Sequence, residues 1–544
     1  MKRAIACVAF AMALGCGGGG GARFALQPLV TRLDDDRPLA HAPKSETGSD
    51  SIDVMLLRPL SHALTFDTTS EARDVNALDE VPDSTWFTNR SVTPHDLERG
   101  TCPDAGPVLP FTIESTKVGG VTAGFVARDA RGQKYVLKLD ELARYAQPEI
   151  STAADAVVSR LYWAIGFNVP CNDTVFVRPD QLILGAKAKE VFATGRRQPL
   201  TPKRVEAIAN QATRRNGALR MTASRYIEGE GIGTWRPEGV RPDDPNDVIP
   251  HDERRELRGE FFLAAWTAHW DTRRANTYDA FVSGRYVLHH YLDFSEALGG
   301  TISRTKWTEP RSGLESVSSL ETIAVDAVGF GFVRRPWDDV KIDPRFPDLG
   351  YLDVEHFAPL AFSAQTPVVR WAHAEPQDLA WMARRIARLG VDHVRTAVRS
   401  AKLADAREEE RLVEILMGRR ARILRTSFAR VSPLADFTVR DATLCARDLA
   451  RATGIATDAA TSYAAELRSG ASLRLAPIAP RLERTDEGVC VTLPHFAAAS
   501  AAPGSPARYA TVDIVRFEDR SHTRLRAHFY DLGARFALVG IERL

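Results

Sequence analysis

His269-Trp270-Asp271-Thr272-Arg273-Arg274-Ala275-Asn276, read together with Tyr291-Leu292-Asp293-Phe294-Ser295 downstream, decides the fold. Residues 254–270 carry apolar side chains at helical spacing, so a helix is expected to end just before Asp271 and to leave Asp271 and Asn276 on a loop. Loops held by rigid elements commonly display reacting side chains. Taken singly, the residues have plainer accounts. An Asp and an Asn in one turn are common capping residues, and Asp293 can simply end a strand at 286–290. Arg273 is as readily an exposed loop arginine as a phosphate ligand.

Upstream, residues 111–118 read as a strand, Gly119-Gly120-Val121-Thr122-Ala123-Gly124 as a glycine loop, 125–128 as a second strand, and 133–140 as a third that carries Lys138. Strand, glycine loop, strand, turn and lysine-bearing strand can drape backbone N–H groups over a triphosphate while the ammonium pairs with its oxygens. The glycine loop alone fits an ordinary hairpin equally well. Residues 150–166 suit a helix closed by Gly166, with Glu149 at its start. That carboxylate is either a solvated residue favoured by the helix dipole or an ion-pair partner for Lys138. Residues 172–184 suggest a pair of strands. Residues 187–220 form a basic, helix-prone insertion containing Lys187, Lys189, Arg196 and Arg197. A solvated surface is its commoner explanation, and binding of an acidic substrate is the alternative. A strand at 219–227 then leads to Glu228-Gly229-Glu230-Gly231.

In this order the segments resemble the protein-kinase-like superfamily, particularly its atypical HipA-like and CotH-like branches, over residues 106–430. His269, Asp271 and Asn276 fall on the catalytic-loop pattern H-R-D-L-x-x-x-N, with Arg273 where protein kinases carry a lysine. Asp293-Phe294-Ser295 resembles D-F-G, and Gly119, Gly124 and Val126 fit G-x-G-x-x-G-x-V with Val121 at the middle glycine. Glu149 with Ala154, Arg160, Leu161, Gly166, Val169 and Pro170 resembles the corresponding helix of HipA-like kinases. The resemblance implies an α+β, two-lobed fold: an antiparallel β-sheet N-lobe at 106–230, a mostly helical C-lobe at 231–430, and a hinge at 228–231. It implies ATP and Mg²⁺ as cofactors. Gly119, Gly120, Gly124, Lys138 and Glu149 would bind nucleotide, and Asn276 and Asp293 would hold the metal. Asp271 and Arg273 would act on an unknown protein or small-molecule acceptor. The chain departs from the pattern in its missing middle glycine, Ser295 for glycine, the lack of an A-P-E segment, and Glu149 only eleven positions after Lys138. A catalytically inactive, pseudokinase-like binding or envelope-assembly module is the alternative reading.

The N-terminus sets the compartment. Lys2 and Arg3 precede a short apolar run at 4–14, as in an export signal. Ala13-Leu14-Gly15-Cys16 resembles a bacterial lipobox, which implies a signal peptide at 1–15, a lipid anchor on Cys16 and, with Gly17 following, the outer membrane. Gly17–Gly21 would begin a flexible tether over 16–50, and 51–105 would be a strap packing Trp86 and Phe87 onto the next domain. Length, 544 residues, favours several domains, and 71 Lys plus Arg against 70 Asp plus Glu gives no global field that would hold nucleic acid. Export permits disulfides among Cys102, Cys171, Cys445 and Cys490; three pairings exist, of which Cys445 with Cys490 would be a local staple. Residues 431–544 read as an alanine-rich helical segment followed by strands, a small α+β accessory domain.

Overall fold

A computed structural model describes residues 22–43, 71–103, 106–118, 122–140, 149–300, 325, 327–329, 332–333, 339–364, 366–469, 478–496, 500–519 and 521–544. Cys16, Gly119, Gly120 and the segment read as a signal peptide lie outside them. The chain is a mixed α+β protein. No helix among the described residues is long and apolar enough to cross a membrane.

The strands β1 (Phe111–Thr116), β2 (Gly124–Arg128) and β3 (Lys134–Leu139) form the expected antiparallel meander. Beyond β3 lie β8 (Ala218–Arg225) and β4 (Asn172–Val177), and beyond β1 lie β5 (Leu182–Val191) and β6 (Arg197–Pro199). A short β7 (Arg214–Arg215) pairs with β8. The sheet is not wholly antiparallel: β1 and β5 run parallel, with Phe111 opposite Leu182 and Ser115 opposite Lys189. Nor do residues 172–184 pair with one another. Val177 to Leu182 spans at most about 18 Å, whereas β4 and β5 would stand about 24 Å apart in a flat sheet with this strand order. The sheet therefore curls around its core of Phe111, Ile113, Phe125, Leu137 and Met221. The expected helical insertion at 187–220 holds parts of four strands, β5 to β8, and one short helix. Only Pro202–Ala209 in it is helical, begun by the Thr201 cap and Pro202. Pairing with β1 draws β5 into the sheet, β5 in turn pairs with β6, and β8 pairs with β3 and β4.

Helices α1 (Pro94–Arg99), α2 (Ile150–Ile165) and α3 (Pro202–Ala209) accompany this half. The other half is built on α4 (Arg255–Thr267), α5 (Val369–Ala372), α6 (Pro376–Ala387), α7 (Val391–Arg399) and α8 (Ala406–Phe428). Leu161, Tyr162, Leu263, Trp266, Trp381 and Leu416 share one apolar core that joins α2 to these helices. Between the halves lies a small sheet of β9 (Glu230–Gly233), β10 (Thr277–Val282) and β11 (Tyr286–Tyr291). Trp86 stacks on His289 at 3.7 Å, and Phe87 meets Trp381 edge-on at 5.2 Å, so both aromatics of the strap pack inward.

The alanine-rich stretch around Cys445 is not a helix. Residues 434–440 (β12) and Thr443–Asp448 (β13) form a hairpin, and Leu449–Ala452 is the one helical turn, α9, that follows before β14 (Thr461–Ser469). Alternate burial of Leu444, Ala446 and Asp448 marks the strand period that helix propensity hid. With β15 (Arg481–Arg484) and β16 (Gly488–Thr492), β12 and β13 make one four-stranded sheet. A second consists of β14, β17 (Tyr509–Glu518), β18 (Ser521–Asp531) and β19 (Phe536–Arg543), and the two enclose a core containing Leu444, Val491, Val512 and Phe529. Disulfides join Cys445 to its cross-strand partner Cys490 and Cys102 to Cys171.

Residues 22–43 do not run as a free tether. The backbone N–H of Arg23 donates to the Tyr509 hydroxyl at 3.0 Å, and the Tyr530 hydroxyl donates to the Phe24 carbonyl at 3.0 Å. Further on, Asp35 accepts from Thr85, and the Leu39 N–H donates to the Arg285 carbonyl. Burying these partners outweighs the polar composition. Asp79 lies at the meeting point of strap, helical half and C-terminal sheets, where its carboxylate receives Arg255, Arg384 at 3.3 Å and Arg543 at 2.6 Å.

Candidate functional site

The meander positions the first residue of the site. Register pairs Gly124 with Lys138, and a side chain at Gly124 would meet the Leu137 carbonyl at 2.0 Å, so glycine permits the close approach of β2 to β3 there. Lys138 is buried, and its ammonium lies 3.1 Å from Asp155 and 2.9 Å from Asp293. Burial opposes its charge, but the two carboxylates outweigh that and raise its pKa.

The expected partner of Lys138 is corrected. Glu149 occupies the N-cap of α2 in the left-handed region (φ 73°), and its carboxylate accepts from Arg215 at 2.7 Å and from the Ala404 N–H at 2.9 Å. It fastens α2 to the loop before α8. The α2 N-terminus is instead met by Asp140, which accepts from the Thr152 N–H at 3.0 Å and from Arg220 at 2.9 Å. Asp155 lies six positions further along the helix, about 9 Å along its axis, and that is where β3 brings the ammonium. Its other oxygen accepts from the Phe294 N–H at 3.0 Å, so one carboxylate ties sheet, helix and the Asp293 segment together. Burial raises its pKa, with Lys138 opposing. The only sequence sign of Asp155 was a lone acid inside an otherwise apolar helical run.

Asp271 and Asn276 arrive from below. Helix α4 ends at Ala268, whose φ of 49° turns the chain, while Arg419 caps the exposed carbonyls of Ala265 and Trp266. The buried His269 that follows is not a base. The Tyr162 hydroxyl donates to Glu260 at 2.8 Å, leaving its oxygen to accept from His269 Nδ1 at 3.0 Å, and burial lowers the imidazole pKa to about 4. The Asn276 amide donates to the Asp271 carboxylate at 2.8 Å and to its carbonyl at 2.7 Å, and Arg273 Nε stands 2.9 Å from the same carboxylate. Burial pushes the Asp271 pKa up, with Arg273 and Asn276 opposing. The Leu292 N–H donates to the Asn276 carbonyl at 2.8 Å and so holds the loop beside Asp293.

Asp293 takes the left-handed region (φ 52°) and accepts from Ser295 Oγ at 2.7 Å as well as from Lys138. Burial opposes its charge, yet Lys138 and Ser295 keep its pKa well below the usual carboxylate range. Lys138, Asp271, Arg273, Asn276 and Asp293 all line one cavity of about 740 Å³ between the halves, and Val126, Val136, Ile227 and Leu292 add apolar lining. Gly124 acts through strand pairing, Glu149 lies apart, and Gly119 and Gly120 are outside the described residues. The constellation offers an ammonium for anionic oxygens, carboxylate and carboxamide oxygens for a hard cation, and a carboxylate for a hydroxyl proton. Comparison with known protein families, curated proteins and solved structures found no match.

Proposed function

We propose that the chain is an atypical, two-lobed protein-kinase-like phosphotransferase that uses ATP and Mg²⁺ on a hydroxyl acceptor outside the cytoplasm, lipid-anchored through Cys16 at the outer membrane. One observation carries this reading: Lys138, Asp271, Asn276 and Asp293, far apart in sequence, line a single cavity together with apolar side chains, and Asp155 pairs with Lys138. The apolar lining of Val126, Val136 and Ile227, the last just after β8, suits an adenine ring. Lys138 would pair with phosphate oxygens, with Asp155 keeping its charge and direction. Asn276 and Asp293 fit a divalent cation, since both present oxygen and Asp293 stays ionised. Bound Mg²⁺ supplies charge neutralisation on the phosphates. Asp271 would orient the acceptor hydroxyl and take its proton, a role that a raised pKa favours because a more basic carboxylate draws the proton harder. Arg273 would stabilise phosphate charge once it leaves Asp271.

That Arg273–Asp271 pair also supports a second reading, a nucleotide-binding module without catalysis, because the carboxylate is engaged. Thermal stabilisation by ATP with and without Mg²⁺ separates the cases. Wild type should be stabilised and D293A and K138A much less so; no shift in any protein would sink both readings. Phosphate transfer that is absent despite nucleotide binding, or undiminished in D271N, would rule out the catalytic one.

A further inference from the structure

The eight-stranded sheet does not stop at β1. Ser115 stands opposite Val126 on β2 and opposite Lys189 on β5, Val126 opposite Val136, and Val136 opposite Ser224. Paired residues share a face, so Lys189, Ser115, Val126, Val136 and Ser224 form one row, and all of them line the cavity. Arg197, opposite Val191, extends the same face onto β6 and also lines it.

The charges on this extension are unevenly distributed. Glu190, between Lys189 and Val191, points to the other face, where it accepts from Arg204 and Gln198 at 2.7 Å each. Glu114, on the cavity wall, is held by Arg128 at 2.6 Å. Lys189 and Arg197 are exposed, and neither side chain makes a hydrogen bond or ion pair with any described residue. Uncompensated cations in a concave site attract anions more strongly than the same groups on a convex surface. An arginine fork suits phosphate or carboxylate oxygens. Lys189 lies three strands from Lys138 in the sheet, about 14 Å away, beyond the reach of a phosphate that Lys138 holds.

We propose that β5 and β6 build a second anion subsite in the cleft, in which Lys189 and Arg197 take the phosphate or carboxylate of a small, hydroxyl-bearing acceptor. The proposal rests on the nucleotide reading above. A cavity of about 740 Å³ that must also hold a nucleotide favours a small anion over an acidic peptide.

The test uses the full mature protein saturated with Mg²⁺ and a non-hydrolysable ATP analogue, titrated calorimetrically with pyrophosphate, glycerol 3-phosphate, glycerate, glycerol and an Asp-rich peptide. Pyrophosphate and at least one of the small anions should bind and glycerol should not, and a K189A/R197A variant should weaken the anions about tenfold or more while leaving nucleotide affinity unchanged. The anions tried as acceptors distinguish phosphate from carboxylate. The subsite is overturned if no anion binds the loaded wild type, if the variant binds anions as well as wild type does, if the variant loses the nucleotide instead, or if only the peptide binds. Failure of the nucleotide reading itself would show separately, as a wild-type protein that takes up no nucleotide, and would remove the subsite's role with it.

Discussion

Asp155 takes the part that the sequence suggests for Glu149. Glu149 stands at the helix start, where a carboxylate matching the HipA-like pattern invites pairing with Lys138, yet an N-cap residue in the left-handed region faces away along Arg215. Being the only acid in α2 does not mark Asp155 as the Lys138 partner, because which turn of a helix meets a neighbouring strand is fixed by tertiary packing. Lys138, Asp271, Asn276 and Asp293 were legible since each lies in a short segment whose order itself carries the signal. D155A should therefore cost roughly 100-fold in phosphate transfer, as Lys138 loses a partner and Phe294 its acceptor. E149Q should lower thermal stability with transfer within a few-fold of wild type. Parallel kinetics and melting of the two variants check this. Asp271 gives a further prediction. Burial raises its pKa and Arg273 lowers it, so in R273A the acidic limb of the kcat/KM profile should move to higher pH; an unmoved limb would show that another group titrates.

Among the elements, Gly124 shows how a residue can be found for one reason and needed for another. Its place in a glycine loop suggested phosphate contact, whereas its fit against the Leu137 carbonyl makes it a requirement of the β2–β3 pair. G124A should lower stability by about 2 kcal/mol or more, through strand displacement at Lys138. Denaturant unfolding reads the first effect, and nucleotide affinity reads the second. The meander, α2, α4 and the last strands were legible because their periodicity is sustained. The insertion at 187–220 and the segment near Cys445 were not. Alanine and lysine there suit a helix in isolation, and β1 and β16, distant in sequence, complete the pairing that makes each a strand.

At the scale of the whole molecule, acid should act in two steps. His269 and His290 are held neutral by burial, with pKa values lowered to about 4. The unfolded chain takes up protons first, so stability should fall as pH drops from about 6.5 to about 4, by roughly 3 kcal/mol at most for each imidazole. Asp79 is desolvated, but Arg255, Arg543 and Arg384 bring its pKa to about 2. Stability present above the ordinary aspartate value is therefore lost as pH falls from about 4 to about 2, by roughly 2 kcal/mol. Denaturant midpoints across pH should show both windows, and D79N should shrink the lower one, to which Asp247 and Asp252, also lowered to about 2, contribute as well. The docking of Arg23 and Phe24 on Tyr509 and Tyr530 has a consequence in time. These contacts join residues 486 and 506 positions apart, so the first described segment finds its partners only after nearly the entire chain has been made. Loop closure over such a distance comes late in folding, so Arg23 and Phe24 stay undocked until β17 and β18 have formed.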